Sequence, residues 1–212
     1  MPAAPEPAPR RGGAVIVLGL LVLAAALYGG WVLSQEEPRE PAAAENPFDA
    51  KQGGTLLDVA CVERSGRAMR TSQLKGRYVL ADFIFTSCSG QCPKLGAELK
   101  KLQDKGDADV QIVSFTVDPE RDTPERLADY ARRLGADETR WLFLRCEPAD
   151  LRRIMVDELG LVEPKDPTLH SELFVLFDTS GHATGTYEPL LNPDWRADLA
   201  MHVRKLRKRD GR

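Results

Sequence analysis

The sequence lacks an excess of charge of either sign. Its 212 residues carry 29 lysine and arginine side chains against 32 aspartate and glutamate side chains, which gives a formal net charge of −3. Proteins that bind nucleic acid through its phosphates usually display clustered basic residues, often interleaved with aromatic ones. No basic cluster interleaved with aromatic residues is present, so we expect no nucleic-acid partner. An internal repeat is also missing, and the length with 42% hydrophobic residues fits one well-buried domain with appendages.

Residues 14–33 form a run without a charged side chain. As an α-helix that rises about 1.5 Å per residue, the run spans roughly 30 Å, the thickness of a bilayer's hydrocarbon core. Arg10 and Arg11 precede it and a largely acidic segment follows, so the positive-inside rule keeps the N-terminus in the cytoplasm and exports the remainder. A cleaved signal peptide is the alternative, because residues 24–26 are small alanines, but the run exceeds the usual length of a signal's apolar core.

These features divide the chain into four parts. We predict a cytoplasmic tail at 1–13, a transmembrane anchor at 14–35, a flexible linker at 36–52 and a folded domain at 53–212. The N-terminal helix is then the contact of the chain with the membrane.

Short apolar runs alternate with amphipathic segments along the folded domain. Residues 78–85 are too short and too rich in β-branched and aromatic side chains for a buried helix, so they predict an interior strand. Further strands are predicted at 56–62, 110–117, 141–144, 173–177 and 183–187, and helices from Pro93 onward, at 124–134, at 148–159 and around 199–206. The last two strands flank a glycine-containing turn and predict a hairpin. The pattern indicates an α/β fold, with a mixed sheet flanked by helices.

Cys88 and Cys92 stand where the interior strand gives way to a helix, a position at which α/β folds place their chemistry. If the helix begins at Cys88, the two side chains lie one turn apart on the same face. The N–H groups and the positive dipole end of a first helical turn favour thiolate over thiol. Two such sulfurs suit a soft metal ion, Cu(I) above all, or exchange between dithiol and disulfide. A structural disulfide or a pair of inert buried thiols is the alternative interpretation.

Two further polar residues are expected near the same edge of the sheet. Asp118 follows the strand at 110–117, and crevices open beyond the carboxyl ends of parallel strands. His170 precedes the strand at 173–177, which starts at that edge if it runs antiparallel to the central strand. The two cysteines, Asp118 and His170 could then converge. Asp118 serves equally well as the residue that organises the turn before the next helix.

The other cysteines and histidines are expected to be structural, or their roles stay open. Cys61 lies in the first predicted strand and is most simply a small hydrophobic residue of the sheet. Cys146 falls at a strand-to-helix junction, where a third metal ligand and a disulfide with Cys61 are the alternatives, because spacing alone does not assign pairing. His182, in the hairpin turn, and His202, on the last helix, are interpreted as structural.

Three motifs in this order resemble the SCO/SenC family: FIFTSCSGQCP at 83–93, TVDPERDTP at 116–124, and His170-Ser171 before an apolar strand. The resemblance covers about residues 53–206 and extends to the N-terminal anchor. Members of that family are membrane-tethered, thioredoxin-like proteins that deliver copper to cytochrome c oxidase. Ser89, which replaces a proline often found after the first cysteine, and a shorter segment at 160–169 depart from the family pattern.

The resemblance implies a copper site and a carrier function. Cys88, Cys92 and His170 match the positions that bind copper in the family, and Asp118 matches an acidic position close to the site. The copper-containing subunit of a cytochrome c oxidase is the implied recipient. The implied location is the cytoplasmic (inner) membrane of a bacterium, with the folded domain in the periplasm or at the outside face.

The chemistry of the three ligands agrees with that expectation. Two thiolates and one imidazole suit Cu(I), and the imidazole also tolerates Cu(II). Because metal binding requires deprotonated sulfurs, a redox-active disulfide between Cys88 and Cys92 would abolish it. In an oxidising compartment we therefore expect a thiol reductant, of the thioredoxin type, to act on the pair.

Two other functions would use the same cysteines. A membrane-anchored thiol–disulfide oxidoreductase would need no His170, although the spacing is Cys-x-x-x-Cys and not the Cys-x-x-Cys typical of thioredoxin-like redox motifs. A thiol peroxidase is the weaker alternative, indicated by Thr86 two residues before Cys88. The favoured hypothesis is a metallochaperone, which carries copper and is not a turnover catalyst.

Overall fold

The computed structural model of the chain describes Tyr28 and residues 53–106, 109–161 and 171–212. Two units are distinguished, Met1–Asn46 and Pro47–Arg212, and every element below belongs to the second. The predicted tail, anchor and linker lie outside the described residues, apart from the exposed Tyr28. Within the described ranges, no helix combines the length and the apolar character needed to cross a bilayer.

The described part of the chain contains seven strands and four α-helices. The strands are β1 (Ala60–Glu63), β2 (Ala68–Arg70), β3 (Tyr78–Ile84), β4 (Val110–Thr116), β5 (Trp141–Cys146), β6 (Phe174–Phe177) and β7 (Ala183–Tyr187). The helices are α1 (Gln91–Lys105), α2 (Pro124–Leu134), α3 (Pro148–Arg152) and α4 (Trp195–Arg209). A 3₁₀ turn at Thr71–Leu74 follows β2, and a π-helical turn at Arg153–Glu158 continues α3.

All seven strands join one mixed sheet in the order β2-β1-β5-β4-β3-β6-β7. The central pair, β3 and β4, runs parallel over seven residues from Tyr78 opposite Val110 to Ile84 opposite Thr116. The sheet continues with β5 parallel to β4, and with β6 antiparallel to β3. The predictions of an interior strand, a partly parallel sheet and an antiparallel C-terminal hairpin of β6 and β7 are confirmed.

Helices cover both faces of the sheet because successive strand side chains point to opposite sides. On one face Leu80 and Ile84 of β3 pack with residues of α1, α2 and α4, such as Leu99 and Trp195. On the other face Phe83 and its neighbours pack with α3 and the π-helical turn. Each face thus has its own apolar core, and β3 contributes to both.

The ends of α2 follow the signals in the sequence. Thr123 caps the helix by accepting the N–H of Arg126, Pro124 takes the first helical position, and Gly135 ends the helix at a φ of +68°. Two other predictions need adjustment. The helix expected at 148–159 is an α-helix only to Arg152, and the strand expected at 56–62 begins at Ala60. Val59 is held instead by backbone and side-chain hydrogen bonds to Thr71.

Cys61 and Cys146 form a disulfide across the antiparallel pair of β1 and β5, with their Cα atoms 4.2 Å apart. The interpretation of Cys61 as a plain hydrophobic residue is therefore wrong, and so is the alternative that Cys146 is a metal ligand. The two residues are separated by 85 positions and meet only because β1 pairs with β5, a pairing that spacing does not reveal. The bond fastens the β1–β2 edge to the central strands.

Replacing both residues, in a Cys61→Ser, Cys146→Ser variant, is expected to lower the free energy of unfolding by about 2–5 kcal/mol, because the disulfide limits the freedom of the unfolded chain. Urea unfolding followed by circular dichroism measures the difference. A Cys88→Ser, Cys92→Ser variant is the control, since it removes two sulfurs without opening this loop. Equal stability of the wild-type protein and the Cys61→Ser, Cys146→Ser variant would contradict the expected role.

Candidate metal and redox site

The Cys88–Cys92 pair lies at the edge of the sheet where β3 and β4 both end. β3 ends at Ile84 and β4 at Thr116, directly opposite, and α1 begins at Gln91. Cys88 is partly exposed in the connecting turn, whereas Cys92 is buried in the first turn of α1. Unlike Cys61 and Cys146, these two cysteines carry no disulfide here. One cysteine is therefore partly accessible to solvent and the other is not.

The helix begins three residues after Cys88, so the condition under which both cysteines would lie one turn apart on the same helix is not met. The first helical residue is Gln91, and Gly90 at the N-cap has no side chain to accept the N–H groups of the first turn. Cys88 takes that place. Its sulfur interacts with the backbone N–H groups of Gly90, Gln91 and Cys92. The turn that precedes the helix, and not helical periodicity, brings the sulfurs together.

The two thiols differ in acidity. Burial raises the pKa of Cys88, but the hydrogen bond from the Cys92 thiol and those from the N–H groups at the start of α1 outweigh it, so the net shift is downward. For Cys92 the deeper burial dominates and raises the pKa, and the nearby charges of Cys88 and Asp82 add to the rise. Cys88 is therefore the more acidic thiol of the pair, and the Cys92 thiol donates a hydrogen bond to its sulfur.

Asp118 lies at the same edge, two residues beyond the end of β4. Its carboxylate faces Arg121 at 3.4 Å, and its backbone carbonyl accepts the N–H groups of Arg121 and Asp122. It thus organises the turn before α2. Among the described residues, no three His, Cys, Asp or Glu side chains come together as a ligand group for a metal. A role for Asp118 beside the metal stays a prediction.

His170, the third predicted ligand, lies outside the described residues. The strand that follows it, β6, runs antiparallel to β3, with Val175 opposite Ala81. The start of β6 therefore meets the edge at which β3 ends, as the sequence predicts. Whether the His170 imidazole binds the same ion as the two sulfurs stays a prediction.

The other two histidines have partners away from the cysteines. His182 Nδ1 lies 2.7 Å from the Ser180 hydroxyl in the β6–β7 turn. His202 Nδ1 lies 2.9 Å from the Tyr187 hydroxyl, and burial lowers the pKa of the imidazole. These contacts agree with the structural roles expected for both residues.

Asp122 is a residue of the site that sequence reasoning passed over. Its carboxylate is fully buried and accepts three hydrogen bonds within 3.0 Å, from the N–H and the hydroxyl of Thr86 and from the hydroxyl of Thr116. The Thr86 hydroxyl, which indicated a thiol peroxidase, thus donates to this carboxylate. A signal was present in the sequence, since an aspartate stands four residues after Asp118 in the second motif, but its partner lies in the first motif.

Asp82 is a second buried carboxylate that sequence analysis did not identify, and it lies on β3. Its Oδ1 accepts the Ser114 hydroxyl, whose oxygen in turn accepts the indole N–H of Trp141 at 2.8 Å. Burial raises the pKa of Asp82 from its usual 3.8 to about 7, although the Ser114 hydrogen bond favours the carboxylate. The charge of Asp82 contributes to the raised pKa of Cys92.

Comparison with known proteins identifies one family repeatedly. A sequence profile of the SCO1/SenC family matches residues 57–206. The SCO1 protein homolog of Bacillus subtilis is 31% identical over 137 residues, which cover 61% of this chain and 71% of the relative. SCO2-like proteins of four Rickettsia species are 28–34% identical, and this chain spans 58–59% of their length.

Solved structures agree in fold. BsSco is described as a member of the Sco family of cytochrome c oxidase assembly proteins and as having a disulfide switch. Its structure aligns with this chain with a TM-score of 0.62 and 28% identity, over 72% of this chain and 92% of BsSco. ScoI of Bradyrhizobium japonicum with copper bound aligns with a TM-score of 0.52 and 25% identity over 69% of this chain and 96% of its own. The predicted thioredoxin-like arrangement, a mixed sheet with flanking helices, is confirmed for the described domain.

Limiting iodoacetamide is expected to label Cys88 before Cys92 in the reduced protein, because Cys88 is more exposed and its pKa is lowered. Peptide mass mapping across a pH series gives the two rates. The midpoint for Cys88 should lie below its usual 9.0, and Cys92→Ala should move it upward by removing a hydrogen-bond donor. Labelling of both cysteines at equal rates would contradict the assigned asymmetry.

Asp82→Asn is expected to remove a pH dependence of folding. In the folded protein the buried carboxyl of Asp82 stays neutral to a higher pH than it does in the unfolded chain. Its contribution to the free energy of unfolding is therefore fully present below the unfolded pKa, and it is lost as pH rises through about 7. The unfolding free energy of the variant minus that of the wild-type protein should therefore rise by roughly 2–3 kcal/mol between pH 5 and pH 8. Urea unfolding at both pH values measures it. Asp129→Asn, at an exposed position of α2, is the matched control, and a constant difference for Asp82→Asn would refute the assignment.

Proposed function

The chain belongs to the SCO1/SenC family, and on that premise we propose that it is a metallochaperone that carries copper to a cytochrome c oxidase during assembly of the enzyme. Cys88, Cys92 and His170 would bind the ion, and the copper-containing subunit of the oxidase would receive it. The observation that carries the proposal is the contact of the two cysteine sulfurs at the entrance of α1. Asp118, at the same edge, would lie close to the ion without binding it directly.

The donor set suits copper as a cargo. Thiolates are soft ligands that favour Cu(I), and an imidazole completes a three-coordinate site that also tolerates Cu(II). The thiols must lose their protons to bind the ion. Cys88 is the more acidic sulfur and the more exposed one, so it would take up the ion first, and Cys92 would release its proton as it joins. A partly exposed first ligand also allows the recipient's ligands to replace it.

Redox chemistry would control loading. A disulfide between Cys88 and Cys92 would remove both thiolates, so copper uptake requires the reduced pair. In an oxidising compartment a thiol reductant of the thioredoxin type would restore it. The protein would then act by binding and transfer, and any thiol–disulfide reductase activity would be an accessory one.

Names of similar proteins support this function. BsSco is described as a member of a family of cytochrome c oxidase assembly proteins and as having a disulfide switch. ScoI of Bradyrhizobium japonicum was solved with copper bound. A disulfide switch needs two cysteines, and thiolates are good ligands for copper. This chain has a free pair of cysteines just beyond the end of β3.

The location proposed for the folded domain is the periplasm or the outside face of a bacterial cytoplasmic membrane. The uncharged run at 14–33, with Arg10 and Arg11 before it, supports an anchor with this orientation. The Cys61–Cys146 disulfide supports it independently, because structural disulfides persist in oxidising compartments and are rare in the cytosol.

A second function is favoured by the asymmetry of the pair. A partly exposed, more acidic thiol beside a buried one is also the arrangement of a dithiol that attacks a partner's disulfide and then resolves it. The alternative is therefore a membrane-anchored thiol–disulfide oxidoreductase that acts on cysteines of a partner protein. The two functions differ in their need for His170.

Titration of the reduced protein with Cu(I), against a competing chromophoric chelator, tests the main proposal. We expect one tightly bound ion per chain, loss of tight binding in the Cys88→Ser, Cys92→Ser variant, and unchanged binding in the Cys61→Ser, Cys146→Ser control. Tight stoichiometric binding that survives loss of Cys88 and Cys92 would overturn it. If His170→Ala left oxidase assembly in cells intact while either single cysteine variant abolished it, the oxidoreductase would be the better description.

A further inference from the structure

Asp122 connects the turn before Cys88 with the end of β4, and it is not one of the predicted copper ligands. The residue is fully buried, at 0% exposure, in the turn between β4 and α2. One carboxylate oxygen accepts both the N–H of Thr86 and the hydroxyl of Thr116, and the other accepts the hydroxyl of Thr86. We call Asp122, Thr86 and Thr116 the Asp122 clamp.

The clamp fixes the start of the turn that carries Cys88. Thr86 lies two residues before Cys88, and both of its donors are held by one carboxylate. The Cys88 N–H donates to the carbonyl of Phe85, so the residues on either side of Thr86 are tied to each other as well. A turn anchored in this way has few alternative positions, because hydrogen bonds to a charged acceptor are stronger than those between neutral groups.

The same carboxylate is fixed from the side of β4. The Thr116 hydroxyl donates to Asp122 and accepts the N–H of Asp118, while the N–H of Asp122 donates to the Asp118 carbonyl at 2.9 Å. Val117 continues the parallel ladder by donating to Ile84 at 2.8 Å. Asp122 is therefore rigidly placed, and it transmits the position of β4 to the turn before Cys88.

We propose that Asp122 is a positioning residue for copper binding, which holds the Cys88 turn against the entrance of α1 so that the Cys88 sulfur stays in contact with Cys92. The inference rests on the proposed function. It gives a physical reason for the joint occurrence of the two motifs: the second supplies the acceptor that the first requires. It also assigns the Thr86 hydroxyl to this support and not to chemistry at Cys88.

Ligand geometry explains why such support matters. A metal site works when its ligands are held within about 0.5 Å of the binding geometry by their supporting residues, and loss of a supporting hydrogen bond typically lowers metal affinity 10–100-fold. Cys92 is positioned by the helix itself. Cys88 lies outside the helix, so its position depends on what holds the turn.

The test compares Cu(I) affinities of reduced full-length variants by chelator competition at one temperature well below their unfolding. Asp122→Ala and Thr86→Val should each lower the affinity about tenfold or more. Asp122→Asn should have a smaller effect, because one acceptor oxygen remains. Thr86→Ser should keep wild-type affinity, because it retains the hydroxyl. Thr71→Val is the matched control. It removes a buried threonine hydroxyl that links Leu57 and Val59 on the β1–β2 side of the sheet, away from Cys88 and Cys92, and should change the affinity less than twofold.

Unfolding curves for every variant separate positioning from stability. If Thr71→Val and Thr86→Val lose similar stability but only Thr86→Val loses affinity, the positioning role is supported. Wild-type affinity in Asp122→Ala or Thr86→Val, or an equal loss in Thr71→Val, would overturn it. Failure of the proposed function gives a different result, because the wild-type protein would then lack tight Cu(I) binding that depends on Cys88 and Cys92.

Discussion

The parallel pairing of β3 with β4 is the constraint on which the site depends. Seven consecutive residue pairs bring the two strands to a common end, at Ile84 and Thr116. Both motifs follow directly, one leading into α1 and the other into α2. Because the strands are buried, their register is strongly specified. The turns that follow the strands are therefore also fixed in position. Chemistry at this edge therefore rests on the packing of the whole sheet.

A helix without a side-chain cap gives the pair its electrostatic character. Gly90 supplies no acceptor for the first N–H groups of α1, and the Cys88 sulfur takes that role. Stabilising one thiolate in this way also lets the neighbouring thiol, Cys92, act as a donor. Burial works in the opposite direction at Cys92. The unequal sulfurs suit stepwise metal uptake and stepwise thiol exchange alike.

The four cysteines of the chain form two pairs with different physical settings. Cys61 and Cys146 are bonded, buried and placed on adjacent strands, where they tie an edge hairpin to the sheet. Cys88 and Cys92 are reduced, and one of them is accessible. Because exposure and thiolate character govern reactivity, Cys88 and Cys92 are the pair suited to thiol chemistry, and Cys61 and Cys146 are structural.

Local signals in the sequence determined the elements around the site. The apolar run into Cys88, the Thr123 cap with Pro124, and the glycine turn before β7 each depend on neighbouring residues only, and the structure places strands and helices there. The family assignment likewise followed from three motifs and their order. These features can be recognised in the sequence because hydrophobic periodicity and helix capping depend on residues only a few positions apart.

Contacts between distant segments were decided by the tertiary structure alone. The Cys61–Cys146 bond spans 85 positions, and the hydrogen bonds of Asp122 to Thr86 span 36. The start of α1 at Gln91 also depends on how the preceding turn is held, whereas periodicity gave only a helix from Pro93 onward. The physical reason is common to all three: pairing of strands sets which segments become neighbours, and no local pattern records that choice.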